Sequence, residues 1–179
     1  MAVHDSALIA HLHSTLKTLA GTPYPYVSGP ETTKKRASVA LIVRIQPHYS
    51  HWPTSSDRAP TDDIDAFFDR DWVRHGQPEV LFIKRAARKG DRWTSHVALP
   101  GGRRDPEDAD DQAAAVRETV EEVGIDLSPA NAIAVGNLPQ RVVTTSWGKV
   151  PYVSVLALSA LVESCWLHPF QSQKTELPF

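Results

Sequence analysis

The stretch GGRRDPEDADDQAAAVRETVEEVGI, residues 101–125, decides the fold. Its second part predicts an α-helix over residues 109–123. Apolar residues recur there at intervals of three and four and so share one helical face: Ala113, Val116, Val120 and Val123. Gly124 follows directly and is well placed to end the helix.

Three glutamates, Glu118, Glu121 and Glu122, fall on one flank of this helix, away from the apolar face. Like charges at this spacing repel, so the cluster is unfavourable by itself. A divalent cation such as Mg2+ would reverse the penalty, because it prefers carboxylate oxygens and shares its remaining ligands with substrate phosphates. From the cluster alone, a solvated acidic face is the more frequent explanation.

The residues around the three glutamates favour a metal site over a solvated acidic face. The stretch resembles the Nudix box. In that motif a glycine and a loop acid precede the pattern Arg-Glu-aliphatic-x-Glu-Glu-x-Gly-aliphatic. Six fixed positions match: Gly102, Arg117, Glu118, Glu121, Glu122 and Gly124. At a background of about 7% per position, chance agreement is about one in ten million per register.

Two departures point to a branch of that family. Asp108 stands where the box has a glutamate, and its distance to Arg117 is one residue longer than in the plain motif. The longer box resembles that of the coenzyme A diphosphatase group. The upstream signature of that group is matched in part by residues 81–87 and 95–102, where Ser95-His96 replace Gly-Gln.

The resemblance, which covers residues 38–158, implies an α/β (α+β) Nudix fold, a mixed β-sheet sandwiched between helices. Aliphatic and β-branched runs predict its strands. They lie at 38–45, 79–84, 93–99, 132–138 and 150–158, with a hairpin turn at 88–91.

The domain organisation has two parts: an N-terminal helix and linker over 1–36, and a Nudix hydrolase domain over 37–179. The first helix carries Leu8, Ile9, Leu12, Leu16 and Leu19 at helical spacing and ends at Gly21. Residues 46–78 form an insertion with a short helix, capped by Thr61 or Asp62, whose aromatic residues pack onto the domain: Phe67, Phe68 and Trp72.

The resemblance implies a second large helix near the C-terminus, packed on the opposite face of the sheet. The last twenty residues predict no such helix, so this end is interpreted as truncated, alternatively spliced or divergent. Without that helix, one sheet face would need another cover. We expect repacking by the N-terminal helix, formation of a homodimer, or weak stability.

Roles for the site residues follow from the resemblance. Glu118, Glu121 and Glu122 would bind Mg2+ or Mn2+, and Glu118 or Glu122 would also serve as a base or orient the water. Arg117 would pair with a neighbouring glutamate. Gly101 and Gly102 would form a tight loop before the helix, and Asp108 would support the loop or the helix start.

Basic residues cluster in sequence around this box. We expect Arg85 and one of Arg103 or Arg104 to contact phosphate, because cleavage of a diphosphate develops negative charge. The other basic residues at 84–92 solvate a hairpin. We assign no catalysis to His96, and Trp147 is a candidate for contacting substrate.

The composition of the chain limits the kinds of binding partner that we expect. The net charge of −2 offers no global attraction to nucleic acid polymers or anionic membranes. The single Cys165 excludes an internal disulfide, and no apolar run reaches the length of a membrane span. The expected location is cytoplasmic, with mitochondrion and peroxisome left open, and the expected partner is a small nucleotide-type molecule.

The leading hypothesis is metal-dependent hydrolysis of a diphosphate linkage in a nucleoside diphosphate derivative, with coenzyme A or acyl-CoA first. One alternative is a catalytically weak or inactive Nudix-fold module that binds nucleotide or metal. Another is an interaction domain whose acidic helix is purely structural.

Overall fold

A computed structural model describes residues 2–27, 36–87, 89, 95–143 and 152–162. Its helices are α1 (Ala2–Ala20), α2 (Ile64–Phe68), α3 (Asp71–Arg74) and α4 (Asp111–Val123), with short 3-10 turns at Tyr49–His51 and Ser56–Arg58. Its strands are β1 (Arg36–Gln46), β2 (Gln77–Val80), β3 (Ile83–Lys84), β4 (Val97–Ala98), β5 (Gly101–Arg103), β6 (Ala132–Gly136), β7 (Arg141–Val143) and β8 (Tyr152–Val162).

The long strand β1 organises a mixed sheet. It pairs antiparallel with β2 through its second half and with β5 through its first. On its other side it runs parallel to β8, which in turn pairs antiparallel with β6 and β7. Strands β3 and β4 form a separate two-stranded hairpin. The predicted mixed sheet is confirmed.

Both faces of this sheet are covered. Ala40 and Ile42 of β1 pack in one cluster with Ala115 of α4, while Val43 and Ile45 pack in a second cluster that includes Leu16 of α1. The alternation along β1 therefore places α4 on one face and α1, with the insertion helices, on the other. The predicted sandwich of helices around the sheet is confirmed, and the N-terminal helix covers the second face.

The first helix is also confirmed, and it ends at Ala20, directly before Gly21. Ile9 and Leu16 are buried, but Leu8 is half exposed. Lys17 donates a hydrogen bond of 2.9 Å to Asp65 of α2, and the ring of His13 stacks on Phe68. Polar and apolar contacts together fix α1 against the insertion.

The insertion packs onto the domain as predicted, but with two short helices in place of one. Phe67, Phe68 and Trp72 are buried, and Phe67 meets Trp72 edge to face with ring centroids 5.7 Å apart. Asp63, not Thr61 or Asp62, caps α2 by accepting a hydrogen bond from the backbone N–H of Asp65.

Two predictions about the strands need correction, and one strand was not predicted. The expected strand 79–84 divides into β2 and β3, because the first half pairs with β1 and the second with β4. Gly101 and Gly102 lie in β5, paired with β1, and not in a loop. Strand β7 was not expected.

Some predictions fall on residues outside the described part of the chain. These residues are most of the 88–91 turn, residues 90–94, Trp147 and residues 163–179.

The buried face of α4 is displaced from the predicted one. Ala114, Ala115 and Thr119 are fully buried, whereas Val120 is 47% exposed. The alanines allow close approach of the helix to the sheet, and the hydroxyl of Thr119 donates 2.7 Å to the carbonyl of Ala115. Two small alanines and a threonine whose hydroxyl is hydrogen-bonded are thus buried, whereas the more hydrophobic Val120 is not.

Among the described residues no helix is long and apolar enough to cross a bilayer.

A buried ion pair joins the start of α4 to the start of β1. Arg36 donates to both carboxylate oxygens of Asp111, from Nε at 2.8 Å and from Nη2 at 2.5 Å. The two side chains are only 10% and 11% exposed. The hydrogen bond to Asp111 raises the pKa of Arg36, so this arginine stays charged.

We expect Asp111→Asn to lower the free energy of unfolding by about 3 kcal/mol, because it leaves a buried guanidinium without its anionic partner. Urea titration followed by circular dichroism measures the change. The control Glu107→Gln, at an exposed position, should stay within about 0.5 kcal/mol of wild type. Equal stability of the two variants would contradict the assignment.

Candidate functional site

Helix α4 presents its charged residues along β5. Asp110 caps the start of the helix, and its side chain accepts a hydrogen bond of 2.7 Å from the backbone N–H of Ala113. The helix ends at Gly124, which has a left-handed backbone with φ of 69°. The predicted helix and its terminal glycine are confirmed. Arg117 and Glu118 are adjacent in this helix, and Glu122 follows Glu118 by about one turn.

The guanidinium of Arg117 is the hub of this flank. It donates to Asp108 from Nε and Nη2, both at 3.0 Å, and to the carbonyl of Arg103 at 3.0 Å. Its Nη1 donates to Glu118 at 3.1 Å and to Glu121 at 3.3 Å. The geometry agrees with the expected pairing to a glutamate and extends it to the loop.

Asp108 is the partner that sequence reasoning did not assign to Arg117. Besides accepting from the guanidinium, it accepts a hydrogen bond of 2.8 Å from the backbone N–H of Asp105. The hydrogen bond from Arg117 holds the pKa of Asp108 below its usual range, and the carboxylates raise the pKa of Arg117. Asp108 therefore supports the loop, as expected, by closing it onto α4.

The two glycines of β5 are needed for different reasons. A Cβ on Gly101 would overlap the carbonyl oxygen of Ser38 in β1, and its φ of 147° disfavours other residues. A Cβ on Gly102 would overlap the carboxylate of Glu118. One glycine thus permits strand pairing, and the other leaves room for a carboxylate at the backbone.

Glu122 is held at the same edge. Its Oε2 accepts a hydrogen bond of 2.9 Å from the backbone N–H of Gly101. Although the residue as a whole is exposed, burial of its carboxyl group raises its pKa. The Gly101 hydrogen bond opposes the rise, the charge of Glu118 adds to it, and the positive charge of Arg85 opposes it. The Glu122 carboxyl group is therefore partly buried beside the negative charge of Glu118 and within reach of the positive charge of Arg85.

The expected convergence of three glutamates is only partly present. In the described ranges, the group with three ligand atoms within 4.8 Å of one another consists of His51, Asp71 and His75, and not of the α4 glutamates. Arg117 draws two glutamates together, while Gly101 holds Glu122. Without a cation, repulsion keeps such carboxylates apart.

The donor set nevertheless fits a hard divalent cation. Mg2+ is usually bound by one or two carboxylates and completes its octahedral shell with water and substrate phosphate. Glu118 against Gly102 and Glu122 against Gly101 supply carboxylate oxygens at adjacent positions of β5. A third carboxylate in contact is not required.

The arginines differ in their surroundings. Arg104 donates to Asp111 at 3.5 Å and to the carbonyl of Ala109 at 2.8 Å, so its guanidinium is engaged in the loop. Arg103 has an exposed side chain. Arg85 lies close enough to influence Glu122, and its backbone N–H pairs with the carbonyl of His96. Of the expected phosphate contacts, Arg85 and Arg103 are better placed than Arg104.

Known proteins resemble this chain. An uncharacterized protein of Schizosaccharomyces pombe is 39% identical over 137 residues, which are 74% of this chain and 36% of the relative. An uncharacterized Nudix hydrolase, NudL, of Citrobacter koseri is 37% identical over 84 residues, 47% of this chain and 42% of the relative. The chain spans well under half the length of these two relatives.

A solved structure, that of a MutT/nudix family protein from Enterococcus faecalis, aligns with 88% of this chain and 48% of its own, at 20% identity and a TM-score of 0.39. The model of the NUDIX domain family matches residues 68–164. This range is more than half of the chain, and it contains α4, β5 and every glutamate of the site. The chain therefore belongs to the Nudix family.

Proposed function

We propose that this Nudix domain is a metal-dependent hydrolase that cleaves a diphosphate linkage in a nucleoside diphosphate derivative. The observation that carries the proposal is the edge of β5. There Glu118 lies against Gly102 and Glu122 accepts from Gly101, beside the Arg117 hub. Two carboxylates that a rigid helix presents side by side against one strand form a site for a cation that also binds phosphate.

Glu118, Glu121 and Glu122 would hold Mg2+ or Mn2+. When bound, such an ion supplies charge stabilisation for phosphoryl oxygens and lowers the pKa of bound water. Arg117 positions Glu118 and Glu121 through Nη1, and its bonds to Asp108 fix the guanidinium itself.

Proton acceptance from the attacking water is assigned to Glu118 or Glu122. Glu122 has the stronger support, because its carboxylate is oriented by the Gly101 N–H and its pKa is raised. A base with a raised pKa holds the proton better near neutral pH. Arg85 and Arg103 are assigned to the substrate phosphates. The charge of Arg85 acts on Glu122, and Arg103 lies in β5, where its backbone carbonyl accepts from Arg117.

Within this substrate class, coenzyme A or its acyl esters come first. The support is the pattern of residues 81–87 and 95–102 together with the longer box and Asp108. In the structure these segments form the β3–β4 hairpin and lead directly into β5, so they border the carboxylates. A cytoplasmic location and a homodimer remain predictions of the same proposal.

One observation favours a second candidate, a nucleotide-binding or metal-binding module with weak or no turnover. The three glutamates do not gather into one compact ligand group, as noted above. Arg117 already neutralises two of them, so a cation must compete with the guanidinium for Glu118 and Glu121.

Replacing Glu118, Glu121 or Glu122 by Gln should lower kcat by about 100-fold or more, because each change removes a charged cation ligand. Turnover is measured on coenzyme A, acyl-CoA, dinucleotides and nucleoside triphosphates, each with Mg2+ and with Mn2+. Chelation of the metal should abolish activity in wild type. The control variant Glu107→Gln should have wild-type activity when the metal is present. Absent turnover with ligand binding seen by calorimetry would favour the second candidate.

The two glycines provide a matched pair of changes. Gly102→Ala should keep the fold, because the overlapping Glu118 carboxylate is the end of a flexible side chain, yet it should weaken Mg2+ binding and turnover at least tenfold. Gly101→Ala should lower the melting temperature, because the added Cβ meets backbone of β1. Calorimetry and thermal unfolding separate the two effects, and a normal site in Gly102→Ala would refute the role of that contact.

Arg117→Lys should lower kcat at least tenfold, because an ammonium cannot reproduce five directed donors to the loop and to two glutamates. Steady-state kinetics and thermal unfolding measure the effect. Arg74→Lys is the matched control, since Arg74 of α3 makes an exposed ion pair with Asp69, the residue after α2. Wild-type kinetics in Arg117→Lys would show that the hub does not position the glutamates.

A further inference from the structure

The insertion carries a second group of ligating side chains, the histidine cluster, made of His51, Asp71 and His75. One ligand atom from each lies within 4.8 Å of the other two. Nδ1 of His51 is 2.7 Å from Oδ2 of Asp71. Nδ1 of His75 is 3.3 Å from Oδ1 of Asp71 and 2.9 Å from the backbone carbonyl oxygen of the same residue. The two imidazole rings stack with centroids 3.9 Å apart and planes 9° apart.

The backbone beneath the histidine cluster is anchored. Asp71 begins α3 and His75 directly follows it, so the two residues are four apart and share one side of the helix. Trp72 and Val73, between them, are 5% and 0% exposed and fix this turn in the core. His51 approaches from the preceding 3-10 turn, Tyr49–His51, across the surface.

Two hydrogen bonds tie the intervening loop to the same helix. Arg70 donates from Nη2 to the carbonyl of Ala59 at 2.6 Å, and the indole N–H of Trp72 donates to the carbonyl of Asp57 at 3.3 Å. The ligands are therefore presented by an ordered scaffold and not by independent surface side chains.

A simple hydrogen-bonded surface network explains this arrangement poorly. Two imidazoles stacked over one carboxylate must both be ordered, which costs side-chain entropy, while exposed ion pairs contribute little. Two imidazole nitrogens and one carboxylate oxygen are a donor set typical of transition-metal sites.

Space for a further ligand adjoins the histidine cluster. A cavity of about 260 Å³ is lined by His51 and Asp71 together with polar and aromatic neighbours, among them Trp52, Asp57 and Arg70. The cavity is large enough for water, which often completes a site with three protein ligands.

We propose that His51, Asp71 and His75 form a binding site for a first-row transition metal, with Zn2+ as the best match and water from the adjoining cavity as the fourth ligand. Tetrahedral Zn2+ with bonds of about 2.0–2.2 Å needs ligand atoms roughly 3.3–3.5 Å apart. Exposed side chains reach this spacing by small rotations. The bound ion pins the Tyr49–His51 turn to α3 and so stiffens the insertion.

This site differs in kind from the glutamate site of the proposed hydrolase. Imidazole ligands select Zn2+ over Mg2+, whereas the α4 carboxylates prefer hard cations. The inference does not depend on hydrolysis, and it survives if the domain proves inactive.

The test is calorimetric titration of Zn2+ into the full, tag-free chain in millimolar Mg2+, which occupies the carboxylate site. We expect one Zn2+ per chain in wild type. His51→Gln and His75→Gln should each weaken this binding at least tenfold, while His11→Gln, at an exposed position of α1 outside the histidine cluster, should not. Glu121→Gln should also bind Zn2+ normally, which separates this site from the hydrolase metal.

A measurement on wild type alone guards against folding defects in the variants. X-ray absorption at the zinc edge of the one-to-one complex should show nitrogen and oxygen neighbours at about 2.0–2.2 Å, with the scattering of two imidazoles. An all-oxygen or sulfur-containing shell would overturn the proposal. So would unchanged Zn2+ affinity in both histidine variants, or no stoichiometric binding in wild type.

Discussion

The guanidinium of Arg117 is the interaction on which the site depends. One flank of α4 carries three glutamates within five residues, an arrangement that opposes helix stability unless positive charge lies beside it. Arg117 supplies that charge to Glu118 and Glu121 while its other donors hold Asp108 and the carbonyl of Arg103. The same group therefore makes the acidic flank tolerable and closes the loop between β5 and α4.

Sheet pairing completes the geometry that Arg117 begins. Strand β5 pairs with the first half of β1, and its glycines let a backbone carbonyl on one side and a carboxylate on the other approach within van der Waals contact. The Arg36–Asp111 pair ties the start of α4 to the same end of β1. Helix and strand are thus fixed at both ends of the loop, which sets where Glu118 and Glu122 lie.

The histidine cluster and the glutamate site lie on different parts of the fold. The glutamates belong to the face covered by α4, whereas the insertion packs with α1 on the opposite face, through Phe67, Phe68 and Trp72. This separation places the proposed metal site of the insertion away from the packing of α4 against the sheet. Its aromatic core, not its polar surface, attaches it to the domain.

The sequence by itself determined the family, the extent of α4, the long strand β1 and the acidic flank, because these follow from periodicity, terminal residues and motif spacing within a single element. The tertiary structure alone decided that Gly101–Gly102 form a strand, that Thr119 and not Val120 is buried, and that Asp108 pairs with Arg117. It also decided that His51 meets Asp71 and His75. Each of these depends on contacts between segments distant along the chain, for which local pattern carries no signal, since strand pairing and close helix packing are set by what the opposite surface can accommodate.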